Sequence, residues 1–517
     1  MRLTKAITRN AQTQPNNIST QNGKRRRTFR ETRDRIARYA TGLIGLGVKP
    51  GERVAVLALN SDYYYETFFA VPWMGAVLVP LNIRWNVKEN IYALEDSGSH
   101  FLAVDDAFLA SAKDIASQSS HEVTLIYIGE NETPEGTIGI NELTAPLVPP
   151  ADEYEADDDT LAGIFYTGGT TGFPKGVMIS HKAIWTSSIT ASMSLEIQQT
   201  SRYLHAAPMF HMADIAISMA STMTGASHVF IPAFSPEGVV KAVEANNITV
   251  TLLVPTMISM MLADPALDNG DLSSLKKIVY GASPITEATL RLAMEKMGHV
   301  DFFQAYGQSE MAPLISIMRP EDHDPDGDNP HRLRSAGQAV ICADIKIADE
   351  DGNTLATGQI GEIVARGPNK MLGYWNKPEE TAKALKDGWV YTGDAGYLDD
   401  DGYLYLVDRV KDMIITGGEN VFSVEVENAV ARHDAVHEVV VIGVPCEQWG
   451  EKVHAIVRLM PDAQIDEDEL IEHCRDWIAG YKCPRSVEFQ EDPFPTTGAG
   501  KIRKVDIREK YWETEEA

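Results

Sequence analysis

The sequence predicts an α/β fold with helix-covered parallel sheets, then a hairpin-rich stretch, then a small α+β domain. Three observations predict it. Short apolar runs alternate with helix-period segments from Arg53 to Gly307, the pattern of parallel strands joined and covered by helices. Beyond Ala336 the runs shorten and are punctuated by Asp351-Gly352 and Asp401-Gly402, dipeptides that suit hairpin turns. After a charged stretch, Asp408-Arg-Val-Lys-Asp412, strands and helices alternate again up to the C-terminal end. At 517 residues the chain exceeds what one core serves, so two or more domains are expected, divided as 1–407 and 408–517.

In order, Phe29 to Leu46 is expected as a helix, with Phe29, Ile36, Ala40, Leu43 and Ile44 on one face and Gly45 and Gly47 ending it. Lys24-Arg-Arg-Arg27 before it reads as a solvated turn. Arg53–Leu59 is a buried strand, Tyr63–Gly75 a helix and Ala76–Pro80 a strand, continued by His100–Val104 and Val123–Ile128. Pro149-Pro150 and the acidic run Asp152–Asp159 read as an exposed linker. Lys182–Leu195 is helical. Tyr203–Ala207, His228–Ile231, Thr249–Val254, Lys277–Tyr280 and Phe302–Gly307 are strands, and Glu321–Arg334 is a loop. Tyr403–Val407 is a strand. In the last part Val439–Val444 and Val453–Leu459 are strands, Val424–Arg432 and Glu467–Ala479 helices.

Composition excludes some function classes. A formal net charge of −28 argues against binding nucleic acid or an anionic membrane. The apolar run Thr67–Leu81 holds two prolines and is too short to span a bilayer, so no membrane span is expected. Four cysteines without CxxC spacing suggest free thiols in a reducing compartment. No apolar signal core opens the chain and no peroxisomal address closes it, so a cytoplasmic location is expected. The oligomeric state is not legible; a homodimer is compatible with the sequence.

The densest chemical signal is Tyr166-Thr-Gly-Gly-Thr-Thr-Gly-Phe-Pro-Lys-Gly-Val177. The apolar run Leu161–Tyr166 enters it as a buried strand, and Val177–Ser180 leaves it as another. Glycines let backbone N–H groups converge on one point, and such a nest binds anions. Thr167, Thr170, Thr171 and Lys175 add donors suited to phosphate oxygens. The pattern is not a Walker A loop, because Gly176 follows the lysine and a strand-like run comes next.

This stretch resembles the phosphate-binding signature of the acyl-adenylate-forming enzymes, which include acyl-CoA synthetases, nonribosomal adenylation domains and firefly luciferase. Further stretches match in order: Gly281-Ala-Ser-Pro284, Tyr306-Gly-Gln-Ser-Glu310, Tyr391-Thr-Gly-Asp394, Asp408–Asp412, Thr416-Gly-Gly-Glu-Asn420 and Pro495-Thr-Thr-Gly-Ala-Gly-Lys-Ile-Arg503. Ser309 stands where threonine is usual in the family, which keeps the hydroxyl. The whole-chain pattern looks most like bacterial fatty-acid-type ligases. The resemblance implies two parallel α/β sheets and a small β-barrel-like part in the N-terminal region, and a mobile C-terminal domain.

It also implies roles. Thr167, Gly168, Gly169, Thr170, Thr171, Gly172 and Lys175 would hold the ATP phosphates, with Glu310 and Thr170 at Mg2+. Gly281, Ala282, Ser283, Tyr306 and Gly307 would border the adenine, and Ser309 would contact the α-phosphate. Asp394 would accept both ribose hydroxyls, with Arg409 beside it. Lys501 would bridge the substrate carboxylate and the α-phosphate, and Lys411 would be the hinge about which the C-terminal domain turns. Gly417, Gly418 and Glu419 would border the coenzyme A tunnel. His211 would gate it, and Phe210, Met212, Ala305, Gly307, Met311 and Ala312 would line the acyl pocket. Met209, Met212, Met219, Met223, Met257, Met260 and Met261 read equally as an adaptable pocket or as core.

The implied reaction is acid–thiol ligation. A carboxylate is activated as acyl-AMP with release of pyrophosphate, then passed to coenzyme A. The expected acid is hydrophobic, a medium or long fatty acid first. The alternatives are an aryl or arylpropenoic acid, or an amine acceptor giving an amide. A nonribosomal module is disfavoured because no carrier domain follows Ala517. A nucleotide-binding protein or ATPase without acyl transfer is the reading from a different class.

Overall fold

The computed structural model describes the chain except residues 168–173, 284, 410–411, 417–418, 447, 462, 497–501 and 513–517, and the side chains of 409, 419 and 420. It forms two compact units, Met1–Ile345 with Ala365–Val390, and Lys346–Val364 with Tyr391–Ala517. The expected division at residue 408 falls inside the second unit.

The first unit holds two large sheets. One runs Gln338–Ala339, Leu314–Met318, Asp301–Gly307, Lys277–Gly281, Val250–Leu252, Arg202–His205, Ser227–Phe230, Ile18–Asn22 and Arg25–Thr28 in spatial order. Its middle strands pair in parallel, Gly281 beside Ala305 and Val250 beside Lys277. The other runs Gly373–Tyr374, Lys175–Ser180, Leu161–Thr167, Val77–Pro80, Arg53–Leu57, Phe101–Val104, Thr124–Tyr127 and Ile138–Gly139. Helices separate most of the parallel strands in sequence, as the alternation predicts. Buried Val, Ile, Leu, Phe and Tyr side chains form separate clusters, one including Val54, Phe69, Val177 and Met219, another Leu204, Val243, Ile278 and Leu290.

Local signals explain the element ends. The helix Phe29–Gly45 starts with a capping box, in which Thr28 accepts from the Glu31 N–H and Glu31 accepts from the Thr28 N–H. Its stop coincides with Gly47 at φ 98°, as expected. Phe29, Ile36, Ala40 and Leu43 are buried, but Ile44, assigned to the same face, is 51% exposed. Ile44 follows Leu43 directly, and one residue turns the helix by about 100°, enough to leave the buried stripe.

The arginine run is not a solvated turn. Arg25–Thr28 is a strand, and Arg25 and Arg27 both pair with the buried Asp62 carboxylate. Arg25 also reaches Glu130, Arg35 pairs with Glu66 at 2.7 Å, and the Arg25 guanidinium lies 4.2 Å from the centre of the Tyr63 ring. The acids that neutralise this basic run come from other elements, which a local reading of Lys24–Arg27 does not reveal.

The methionines split between cores. Met209, Met212 and Met219 lie in one apolar cluster and Met257 and Met261 in another, while Met260 is 52% exposed. All four cysteines are free thiols, Cys474 and Cys483 buried. Among the described residues, no helix is long and apolar enough to cross a membrane.

In the second unit, the Asp394–Leu398 end of the strand Trp389–Leu398 pairs antiparallel with Leu404–Arg409, placing Asp394 opposite Arg409. A further sheet of Glu419–Val421, Ile414–Thr416, Gly450–Leu459, Val436–Cys446 and Ser486–Phe489 carries the helices Ser423–Val430, Glu467–Arg475 and Lys504–Trp512. This is the small α+β part that the alternation of strands and helices predicts. Val441, Val453, Leu470 and Cys474 are among its core residues.

Candidate active site

The site in the first unit is built on neighbouring strand ends. Gly281 ends one parallel strand with φ 157°, and Ala282 follows at φ 65°. Beside it, Asp301–Gly307 ends in Tyr306 and Gly307. The carboxyl ends of parallel strands are where open α/β sheets bind ligands. Both glycines are needed for close backbone approach. A Cβ at Gly281 would fall 2.0 Å from the Ala305 carbonyl oxygen, and one at Gly307 1.8 Å from the Pro313 carbonyl oxygen.

A short 3-10 turn, Ser309–Met311, follows, and Ala312 leaves it at φ 51°. It presents Glu310, whose side chain is nearly buried. The Tyr374 hydroxyl donates to Glu310 Oε1 at 2.8 Å, and the Met371 N–H donates to the Glu310 carbonyl at 2.7 Å. The Tyr374 N–H in turn donates to Thr381 Oγ1 at 2.8 Å. Glu310 is therefore held at main chain and side chain from one segment, residues 371–374.

The glycine loop joins Leu161–Thr167 to Lys175–Ser180, which pair antiparallel with Thr167 opposite Lys175. The two strands expected to flank this stretch are present, and residues 168–173 between them lie outside the described part. Lys175 pairs with Glu380, and its Nζ sits 5.3 Å from the centre of the Tyr374 ring. Its hydrogen bond holds the Glu380 carboxyl below the usual range. The Tyr166 hydroxyl donates to Asp96 Oδ2 at 2.6 Å; burial, then this bond, raises its pKa, so the phenol stays protonated. Trp375 Nε1 donates to the Asp96 carbonyl at 2.8 Å. Lys175, Tyr374 and Glu310 thus form a chain of contacts from the base of the glycine loop to the carboxylate.

Phe210 and His211 lie at the start of the helix Met212–Thr224, with ring centres 4.0 Å apart. Met212 and Ala312 fall in one buried cluster with Phe165 and Met371. Phe210 and Met311 are also buried, and Ala305 lies on the strand next to Gly281. Ser283 follows Ala282 in the turn after that strand.

In the second unit Asp394 is largely buried, and its N–H donates to Thr392 Oγ1 at 3.1 Å. Glu419 lies opposite Thr416 in a strand pair. Gly168, Gly169, Thr170, Thr171, Gly172, Lys411, Gly417, Gly418 and Lys501, and the side chains of Arg409 and Glu419, lie outside the described residues.

Among the described residues, no group of three or more His, Cys, Asp or Glu is arranged so that it could hold a metal ion. A lone carboxylate with one oxygen already fixed suits Mg2+, which keeps several waters and takes one or two carboxylates together with nucleotide phosphates. Sequence reasoning missed Tyr374, Glu380 and Asp96. The available signal was Gly373-Tyr-Trp-Asn-Lys-Pro378, an aromatic pair bracketed by glycine and proline.

Comparison with known proteins shows the family. Residues 7–375 match the family model described as AMP-binding enzyme, and 425–501 the AMP-binding enzyme C-terminal domain. The chain is 36% identical to a feruloyl-CoA synthase of Amycolatopsis over 97% of its length and 98% of the relative's. It is 35% identical to the medium/long-chain-fatty-acid–CoA ligase FadD8 of Mycobacterium tuberculosis, covering 95% of this chain and 87% of that one. The amide bond synthetase McbA of Marinactinospora thermotolerans has a similar structure, with TM-score 0.88, 30% identity, and coverage of 98% and 100%. The chain belongs to the AMP-binding enzyme family, the acyl-adenylate-forming superfamily that its motifs resemble.

Proposed function

We propose that this protein is an AMP-forming acyl-CoA synthetase that activates a hydrophobic carboxylic acid with ATP and transfers the acyl group to coenzyme A. The observation that carries the reading is the chain of contacts Lys175–Tyr374–Glu310, which joins a phosphate-type glycine loop to a single carboxylate beside two strand ends. An acid that must be joined to ATP brings two anions together, so positioning and charge neutralisation dominate the chemistry.

In the first step an oxygen of the substrate carboxylate attacks the α-phosphorus. The bond to the bridging oxygen breaks, and pyrophosphate leaves. Thr167 to Gly172 and Lys175 hold the phosphates, Ser309 contacts the α-phosphate and Tyr306 packs against the adenine. Asp394 and Arg409 take the ribose. Lys501 bridges the two reacting anions with a compact charge and three donors. Glu310, with Thr170, would hold Mg2+, which offsets phosphate charge when bound. In the second step the thiol of coenzyme A loses its proton, its sulfur attacks the acyl carbonyl, and AMP leaves. His211 gates that approach, and Gly417, Gly418 and Glu419 border the thiol's path. Rotation about Lys411 exchanges the Lys501 surface for the glycine turn between the steps.

A medium or long fatty acid is the first reading of the substrate, and similarity to FadD8 supports it. An arylpropenoic acid is the second, supported by the match to a feruloyl-CoA synthase. Similarity to an amide bond synthetase keeps an amine acceptor in the test.

The test is pyrophosphate exchange into ATP and product formation, screened over fatty and aryl acids with coenzyme A or an amine. Carboxylate-dependent exchange, thioester formation, and loss of exchange in Lys501→Ala are expected. ATP hydrolysis that needs no carboxylate overturns the reading.

A further inference from the structure

The connection from the strand Arg202–His205 to the helix Met212–Thr224 carries His211, and it is fastened from two sides by buried groups outside the reaction described above. On one side is Asn60, 5% exposed. Its Nδ2 donates to the His205 and Ala207 carbonyls at 3.2 and 2.9 Å, and its Oδ1 accepts from the Met209 N–H at 2.9 Å. One amide thus satisfies three backbone groups of a single turn. Asn60 is itself anchored, its N–H donating to the Pro232 carbonyl at 3.1 Å.

On the other side is Asp214, a fully buried acid in the first turn of the helix. It accepts from the Tyr203 hydroxyl at 2.6 Å and from His205 Nδ1 at 2.9 Å. His205 Nε2 lies 3.0 Å from His228 Nδ1, and His228 Nε2 lies 3.1 Å from Thr222 Oγ1. Thr222 donates to the Ser218 carbonyl and meets the Tyr65 hydroxyl at 2.8 Å. Burial, then the neighbouring His205, keeps His228 neutral. Asp214, His205, His228 and Thr222 thus form one buried hydrogen-bonded chain that ties the helix to the strand before it.

A buried polar network whose members satisfy one another rigidifies its surroundings and fixes one geometry. Here the fixed geometry is the start of the helix against its own preceding strand. Residues 206–211 are clamped at both ends, and His211 stands at the last position before the helix. We propose that Asn60 and Asp214 are positioning residues for His211, holding the turn in the conformation that admits the thiol to the acyl-adenylate. The inference rests on the reading of His211 as the gate of the thioester-forming step.

The test separates the two half-reactions. Adenylation is read as pyrophosphate exchange with dodecanoic or ferulic acid, whichever the wild type accepts. Transfer is read as thioester formation from preformed acyl-AMP and coenzyme A. The variants are Asn60→Ala, Asn60→Asp, the isosteric Asp214→Asn, His211→Ala, and Asn60→Ala with His211→Ala. Asn60→Asp keeps the acceptor for Met209 but opposes two carbonyls with oxygen. Transfer is expected to fall about 10- to 100-fold in each single variant, while exchange in the Asn60 and Asp214 variants stays within about threefold, since small misplacements produce losses of that order. The double variant should be no worse than His211→Ala alone, because the two share one effect. Equal loss of both half-reactions, or additive losses in the double variant, overturns the inference. If His211→Ala shifts the balance and neither Asn60→Ala nor Asp214→Asn does, positioning alone fails. If His211→Ala leaves the balance unchanged, the gate reading fails and takes the inference with it. Melting curves on Asp214→Asn keep the test open should Asn60→Ala not fold.

Discussion

Replacing Tyr374 with phenylalanine tests the architecture around Glu310 most directly. The substitution removes one hydroxyl and keeps the ring under Lys175, so the contact at 5.3 Å survives while the 2.8 Å bond to Glu310 Oε1 is lost. Glu310 is 9% exposed, so little water can replace the missing donor. A hydrogen bond to a charged group contributes about 1.5–3 kcal/mol, or about 10- to 150-fold in an equilibrium or rate. Loss of a partner that orients a metal-holding carboxylate falls in the same range, about 10- to 100-fold. Glu310 keeps its main-chain bond from Met371, so the fold should survive with a nearly unchanged melting temperature. The assay is pyrophosphate exchange titrated with Mg2+, together with binding of Mn2+ and a non-hydrolysable ATP analogue followed by electron spin resonance. Tyr374→Phe should raise the metal concentration for half-maximal exchange about tenfold or more, weaken Mn2+ binding in parallel, and recover much of its rate at saturating metal. Unchanged metal dependence of both readouts would refute the reasoning, whatever happened to the rate.

Three further outcomes follow from the packing. Asp62→Asn leaves Arg27, 10% exposed, with Glu66 at 3.4 Å as its remaining buried counter-charge, and should destabilise the protein by about 1–3 kcal/mol in denaturant melts. Burial pushes the Asp62 carboxyl up, but Arg25 and Arg27 more than offset this and hold it below the usual range. Its stabilisation is present above the unfolded carboxyl pKa, about 4, and is lost as pH falls through the lower folded value. His323 behaves in the opposite chemical sense with the same direction in pH. Its Nδ1–H donates to the Arg319 carbonyl at 2.7 Å, and its Nε2 accepts from the Tyr280 hydroxyl at 2.9 Å. Burial pushes its pKa down to about 4 from 6.5, against the Arg319 carbonyl and Asp322. The unfolded chain therefore binds one more proton between those values. About 3 kcal/mol of stability, full above pH 6.5, should drain as pH falls to about 4, and His323→Gln should flatten that part of the stability–pH curve. Gly307→Ala drives a Cβ to within 1.8 Å of the Pro313 carbonyl oxygen, a backbone atom that cannot turn aside. It should abolish detectable ATP binding in calorimetry or prevent folding, and a variant with normal affinity would contradict the fit.

Much of the fold is written locally. Val and Ile runs alternating with helix-period segments mark each large parallel strand, because strand and helix periods differ and each must bury an apolar face. Thr28 with Glu31 and the positive φ at Gly47 bound a helix within a few residues of its own sequence. The glycine loop announced itself the same way, since the density of Gly, Thr and Lys between two strands is a local property. Tertiary structure alone decided which distant groups meet. The partner of Glu310 lies 64 residues away and the acceptor for Asn60 147 residues away, and no period or propensity links them. The arginine run looked solvated because its counter-ions belong to other elements, and nothing in the sequence around Asp214 shows that His205 and Tyr203 stand beside it. Backbone periodicity follows from chain geometry and can be read along the chain; the neutralisation of a buried charge is settled through space, once the sheets have brought its partners together.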